Sequence, residues 1–221
     1  MLYIFDWDGA LIDSADKIVC AMQAAINQLG LPVITDDEIK AIIGLGLPEA
    51  IAVLYPAERL EAREELARHY SLECAMIDEN GLCDVFPEVR EGLGWLLEQG
   101  YTLAVATGKT RKGLDRMLRN HNMSHYFSAT RCVDETASKP DPKMLLELLE
   151  ELGVPAVQAV MVGDTEYDLA MAKAAGIKSL GVSYGVHPVK RLLSCSPLAV
   201  VDKFSEVVGY EISCDRCCMA E

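Results

Sequence analysis

Two aspartates one residue apart, Asp6 and Asp8, end the short apolar run Leu2-Tyr3-Ile4-Phe5. In an extended segment side chains alternate, so the two carboxylates share one face while Trp7 points to the other. Gly9 then lets the backbone turn away without a Cβ penalty. Two acids aimed at one spot repel each other unless a cation lies there or one of them keeps its proton, and either condition is chemistry. Other polar groups follow apolar runs in the same way: Thr107-Gly108-Lys109, and Gly163-Asp164 with Asp168 after it. Lys139 sits in Ser138-Lys139-Pro140-Asp141-Pro142, just ahead of a helical pattern.

The elements that position these groups alternate. After Val85-Phe86-Pro87 helical periodicity is expected over 88–99, 111–121, 141–152 and 166–175, interleaved with short apolar strands at 102–106, 129–133, 159–162, 179–182 and 199–201. Such βα alternation implies a parallel sheet with helices on both faces, whose strand carboxyl ends form the ligand crevice. Residues 15–83 read differently. Helical spacing runs from Ile18 to Leu29 and stops at Gly30 and Pro32, Thr35-Asp36-Asp37-Glu38 starts a second helix, and no buried strand is evident. The chain therefore divides into an α/β core at 1–14 and 84–210, an inserted all-α unit at 15–83, and a Cys-containing tail at 211–221.

With 221 residues, 51% hydrophobic and 24% charged, the chain is expected to be globular. A net charge of −14 argues against nucleic acid or an anionic membrane as partner. The apolar stretches fall short of the roughly 18 residues that cross a bilayer, and no basic leader precedes the first strand, so a cytoplasmic protein, monomer or homodimer, is expected. Eight scattered cysteines, including Cys214, Cys217 and Cys218 in the tail, read as reduced thiols rather than a disulfide framework or a zinc site.

In their order, Asp6-Trp-Asp8-Gly, Ala106-Thr107-Gly108, Lys139-Pro-Asp-Pro and Gly163-Asp164-x-x-x-Asp168 resemble the motifs of the haloacid dehalogenase superfamily, and specifically its phosphatases of the phosphoglycolate type with a helical cap after the first strand. The resemblance spans residues 2 to about 202 and implies a Rossmann-like core. It implies a phosphatase acting on a small phosphorylated metabolite, with Asp6 as nucleophile and Asp8 as general acid and then base. Mg²⁺ would be held by Asp6, Asp164 and the backbone carbonyl of Asp8. Thr107, the Gly108 backbone N–H and Lys139 would bind the phosphoryl group, and Asp168 would orient Lys139 or the metal's waters. Lys109, Glu166 and Asp13 lie close enough in sequence to be considered. One position departs from the family: Ala10 stands where a Thr hydroxyl usually helps hold the turn.

Rival readings share parts of this set. A phosphosugar mutase would use the same aspartates with a sugar hydroxyl as acceptor. A phospho-acceptor switch would place its phosphorylated Asp at the end of the middle strand 102–106, where there is none. A dehalogenase would not need Asp8, and a phosphonatase would need a Schiff-base lysine from the cap, where only Lys17 and Lys40 are available. The stretch Ile42-Ile43-Gly44-Leu45-Gly46-Leu47-Pro48 is the candidate loop for contacting the leaving group.

Overall fold

The computed structural model describes residues 1–80 and 83–210, so the cysteine-bearing tail lies outside the described residues. Six strands, β1 (Leu2–Phe5), β2 (Thr102–Thr107), β3 (Ala129–Cys132), β4 (Ala159–Gly163), β5 (Lys178–Val182) and β6 (Ala199–Val201), form one sheet in the order β3-β2-β1-β4-β5-β6. Every pairing is parallel. The helices are α1 (Ala15–Leu29), α2 (Asp36–Lys40), α3 (Leu47–Leu54), α4 (Leu60–Asn80), α5 (Val89–Glu98), α6 (Arg111–Asn120), α7 (Lys143–Leu152), α8 (Glu166–Ala174), α9 (Val189–Ser194) and α10 (Phe204–Gly209). This is the α/β architecture the alternation implies.

Strand β1 organises both layers because its side chains alternate. Tyr3 and Phe5 pack with Leu93 and Leu96 of α5 and Phe204 of α10. Leu2 and Ile4 face the other way, onto Met144 and Leu145 of α7 and Met171 of α8. Each fully buried side chain of this size contributes about 1.5–3 kcal/mol, so the central strand is pinned from both sides. Its neighbours are β2 and β4, and the carboxyl ends of these three adjacent strands carry Asp6, Thr107 and Asp164.

Expected and observed elements differ mostly at their ends. Strand β2 runs one residue further than expected because Thr107 pairs with Cys132. Helix α7 starts at Lys143 rather than 141, since the Asp141 carboxylate accepts from the Lys143 amide at 2.9 Å and shapes the preceding turn. Helices α9 and α10 were not anticipated; six residues each are too few to show a period.

Helices α1 to α4 gather around an apolar cluster of their own, with Met22 and Ile26 of α1, Ile39 of α2, Ile51 of α3 and Leu66 of α4. Thr35 and Glu38 form a reciprocal capping box at the start of α2, and Gly30 closes α1 at φ 62°. The two connections to the core run side by side: Asp13 N donates to Asp84 O at 2.9 Å, Phe86 N to Leu11 O at 3.0 Å, and Ile12 bridges Val85 in antiparallel sense. The turn after Asp8 holds without the hydroxyl that Ala10 lacks. Gly9 N donates to Ile12 O at 2.9 Å, Leu11 N to Trp7 O at 3.1 Å, and the Tyr184 hydroxyl to Ala10 O at 3.0 Å.

Candidate active site

Asp6 leaves β1 with its amide bonded to Val162 O of β4 at 2.9 Å, which fixes its side chain above the sheet edge. Its Oδ1 accepts from Trp7 N at 2.7 Å and lies 2.7 Å from Lys139 Nζ. That lysine reaches on to Asp168 Oδ1 at 2.6 Å, and its side chain is wholly buried. Asp168 spends its other oxygen on the Thr165 amide and hydroxyl, at 3.0 and 2.7 Å, capping α8. One carboxylate therefore caps a helix and aims a lysine at the same time.

Asp164, also fully buried, accepts from Val186 N at 2.8 Å through Oδ2. Two glycines make room for it: a Cβ on Gly9, at φ +84°, would fall 2.1 Å from Asp164 Oδ2, and one on Gly185 2.2 Å from Asp164 Cβ. Asp6 Oδ2 and Asp164 Oδ1 are buried and have no protein partner. Oxygens of Asp6, Asp164 and Asp168 all come within 4.8 Å of one another. Orphaned buried carboxylate oxygens are costly, and two of them on adjacent strand ends suit a hard divalent cation with oxygen ligands. The charge count agrees, because Asp6, Asp8, Asp164 and Asp168 face only Lys139 and Lys109, leaving two negative charges when all are ionised.

The electrostatics follow from burial. Asp6 is pushed up to about 7, first by desolvation, with Lys139 opposing and Asp168 and Asp8 adding. Asp164 is driven well above the ordinary carboxylate value by desolvation and by Asp168 and Asp6. Burial alone would lower Lys139, but Asp168 and Asp6 outweigh it and hold its proton firmly.

Asp8 stands apart from that cluster. Its Oδ1 accepts from the Ser14 hydroxyl at 2.5 Å and its Oδ2 pairs with Lys109 Nζ at 2.8 Å. Ser14 occupies the N-cap position of α1 but makes no capping bond, because its hydroxyl is committed to Asp8. Of the three neighbours considered from the sequence, Lys109 joins the site. Asp13 is exposed, and Glu166 is engaged by Arg191 at 2.7 Å. Thr107 is buried at the head of the cleft, its hydroxyl accepting from Lys109 N at 3.2 Å. Gly108 leaves room for the loop between α2 and α3, since a Cβ there would lie 2.7 Å from Leu45 O. Of the two lysines considered for a Schiff base, Lys17 lines the cleft but is bound to the buried Asp78, and Lys40 pairs with Asp16.

That loop roofs a cavity of about 500 Å³ whose wall includes Asp6, Asp8, Thr107, Ile42, Leu45 and Leu47. Its docking residues gave little sequence signal. Ala41 O accepts from the Tyr167 hydroxyl at 3.0 Å and faces His187 Nε2 at 3.2 Å. Because His187 Nδ1 accepts from Glu166 N at 3.1 Å, the neutral ring carries its proton on Nε2 and donates to Ala41 O. Gly46 N donates to Ser138 Oγ at 2.8 Å. Gly46 faces the core, where an added Cβ would lie 2.7 Å from Val133 Cγ2. Gly46→Val is expected to lift the loop and raise KM by roughly tenfold, about 1.4 kcal/mol of lost binding, with little change in melting temperature; an unchanged KM in steady-state assays would show that the loop does not close the site.

Comparison with known proteins is consistent across sequence and fold. The profile of the family described as haloacid dehalogenase-like hydrolase matches residues 3–182. The "Probable phosphatase IndB" of Dickeya dadantii is 40% identical over 213 residues, covering 94% of this chain and 92% of that protein. A phosphoglycolate phosphatase from Aliivibrio fischeri is 33% identical over 222 residues, covering 94% and 95%. Among solved structures, a haloacid dehalogenase-like family hydrolase from Streptococcus pneumoniae superposes with a TM-score of 0.82 at 25% identity, covering 95% of this chain and 97% of that one.

Proposed function

The chain belongs to the haloacid dehalogenase-like hydrolase family, and from that premise we propose that it is a Mg²⁺-dependent phosphatase working through an aspartyl-phosphate on Asp6. The observation that supports this most is Asp6 itself, a residue of the cavity wall: Oδ1 is aimed by Lys139 and Trp7 N, and Oδ2 is buried without a protein partner, left for a cation. A carboxylate so oriented is a nucleophile in place.

In this reading an Asp6 oxygen forms a bond to phosphorus as the bond to the leaving alkoxide breaks, and Asp8 delivers a proton to that alkoxide. Water then attacks the phosphorus while Asp8 takes its proton, which releases phosphate and restores Asp6. Lys139 stabilises the charge spread over the phosphoryl oxygens and keeps Asp6 aimed. The Thr107 hydroxyl and Gly108 N–H hold the phosphoryl group. Asp6, Asp164 and the Asp8 carbonyl would hold Mg²⁺, which screens the anionic nucleophile from the anionic phosphate. The Asp8 ion pair with Lys109 must open for proton transfer, and an arriving phosphate offers Lys109 another partner. Relatives named phosphoglycolate phosphatase make small phosphorylated metabolites the first substrates to test, and a cytoplasmic setting fits them. No described helix is long and apolar enough to cross a membrane. Phosphate release from a metabolite panel, with intact mass of the enzyme trapped during turnover, tests the reading. Turnover with no phospho-enzyme on Asp6 would refute it.

Metal dependence carries a pH signature. The Asp6 carboxyl titrates near 7 in the folded protein against 3.8 for an ordinary carboxyl, so between those values the unfolded chain is ionised while the folded one keeps its proton. The metal-free protein thus loses stability as pH climbs through that window. A cation binds the ionised form and reverses the loss. Mg²⁺ is expected to raise the melting temperature strongly at pH 8 and little at pH 5, and EDTA to abolish activity, with Ca²⁺ restoring it poorly because it takes more ligands at longer distance. Equal shifts at both pH values, or activity in excess EDTA, would overturn the proposed metal site.

A further inference from the structure

The phosphoryl end of the cavity is accounted for by Asp6, Thr107 and Lys139, but its far wall is not. Much of that lining is apolar, from Ile18 and Met22 of α1, Ile42 of the roofing loop, Leu47 and Ala50 of α3 and Met117 of α6. The helical unit that borders it is anchored to the core at two separate places. On one side Tyr167, His187 and Ser138 grip the loop through Ala41 O and Gly46 N. On the other, buried Asp78 of α4 is bound by Lys17 and lies 2.5 Å from Arg116 of α6, an ion-pair contact without hydrogen-bond geometry.

A cavity of about 500 Å³, partly open to solvent, is large for a small acid. At roughly 30 Å³ per water-sized group it has room for roughly sixteen of them, and a phosphoryl group with a two-carbon acid fills about half. The remainder would be water held against an apolar wall, in a site whose chemistry gains from excluding water. Apolar surface returns binding energy only if the ligand covers it. We infer that the leaving alcohol is a ring-bearing group of nucleoside or aryl size with an apolar face, rather than a two-carbon acid. Arg68 and Lys112, which also line the cavity, suit the polar edge of such a ring. The inference rests on the phosphatase reading above and names its substrate class.

The test uses the full chain with Mg²⁺ and four probes: p-nitrophenyl phosphate, phosphoglycolate, a nucleoside 5′-monophosphate and naphthyl phosphate. The ring-bearing metabolite-sized probes are expected to exceed phosphoglycolate in kcat/KM by about tenfold or more, the scale that filling an apolar pocket gives. Ala50→Leu, which adds bulk to the far wall, should narrow or reverse that ranking. Preference for phosphoglycolate in the native protein would overturn the inference and leave the phosphatase reading intact, whereas no hydrolysis of any probe, p-nitrophenyl phosphate included, would bring down both. If circular dichroism shows the variant unfolded, the native ranking alone decides.

Discussion

Replacing Asp6 with Asn is expected to leave a folded protein whose turnover falls by roughly 10⁴-fold or more, the loss typical of a removed nucleophile. The amide keeps the carboxylate's shape, so the neighbouring geometry survives while the attacking oxygen anion does not. Folding should be helped, because the native carboxyl carries a desolvation cost that the neutral amide avoids, and Asp6 is one of four acids sharing two lysines. The two effects point in opposite directions, which separates a chemical role from a structural one. Phosphate release, intact mass with substrate and thermal melting decide the matter together. A mutant that turns over appreciably, or a phospho-enzyme still detected on the variant, would remove Asp6 from the mechanism.

Lys139→Met is expected to damage both activity and stability. Methionine fills much of the space of the lysine stem, so the loss is chiefly of charge. Asp6 and Asp168 then remain buried with no cation between them, and an unpaired buried charge costs about 3–5 kcal/mol. Turnover should fall by roughly 10²- to 10³-fold, the scale of removing one group that stabilises transition-state charge. Lys139→Arg keeps the charge, yet its planar fork does not fit a slot cut for a point donor between Asp6 Oδ1 and Asp168 Oδ1 at 2.7 and 2.6 Å. The arginine variant should therefore recover more of the melting temperature than of kcat. If lysine-to-methionine leaves kcat within a few-fold of native, the phosphoryl-stabilising role is wrong.

How much of this was legible beforehand depends on distance along the chain. The acids after β1, the Thr107-Gly108 turn and the Gly163-Asp164 end could be read because each follows an apolar run, and a parallel sheet brings such ends together. Asp168 could be read, through the family resemblance, as orienting either Lys139 or a metal's waters, and it is Lys139 that it contacts. Ser14 carried no signal as a site residue, since nothing local says that its hydroxyl turns back to Asp8. The grip of Tyr167 and His187 on Ala41 O joins residues 126 and 146 positions apart, through a backbone carbonyl that has no sequence identity at all. The bond between Lys17 and Asp78 is equally silent, for it depends on where α1 and α4 meet. The candidate site's residues sit where the fold's period puts them, whereas docking parts are set by the particular surfaces that touch.

The paired connections at Ile12 and Val85 bear on how the chain reaches this fold. Strands β1 and β2 are neighbours in the sheet, yet five helices intervene between them in the sequence, four of them in the insert. Taken as slack chain, that stretch would have to be closed before the strands could pair, at an entropic cost that grows only with the logarithm of its length. Once α1 and α4 pack, the two ends of the insert are delivered together at the Asp13–Asp84 contact, and the long loop becomes, for the sheet, a short one. Assembly of the helices thus lowers the effective contact order of the central strand pair, so a folded insert costs the pairing less than a slack chain of the same length would.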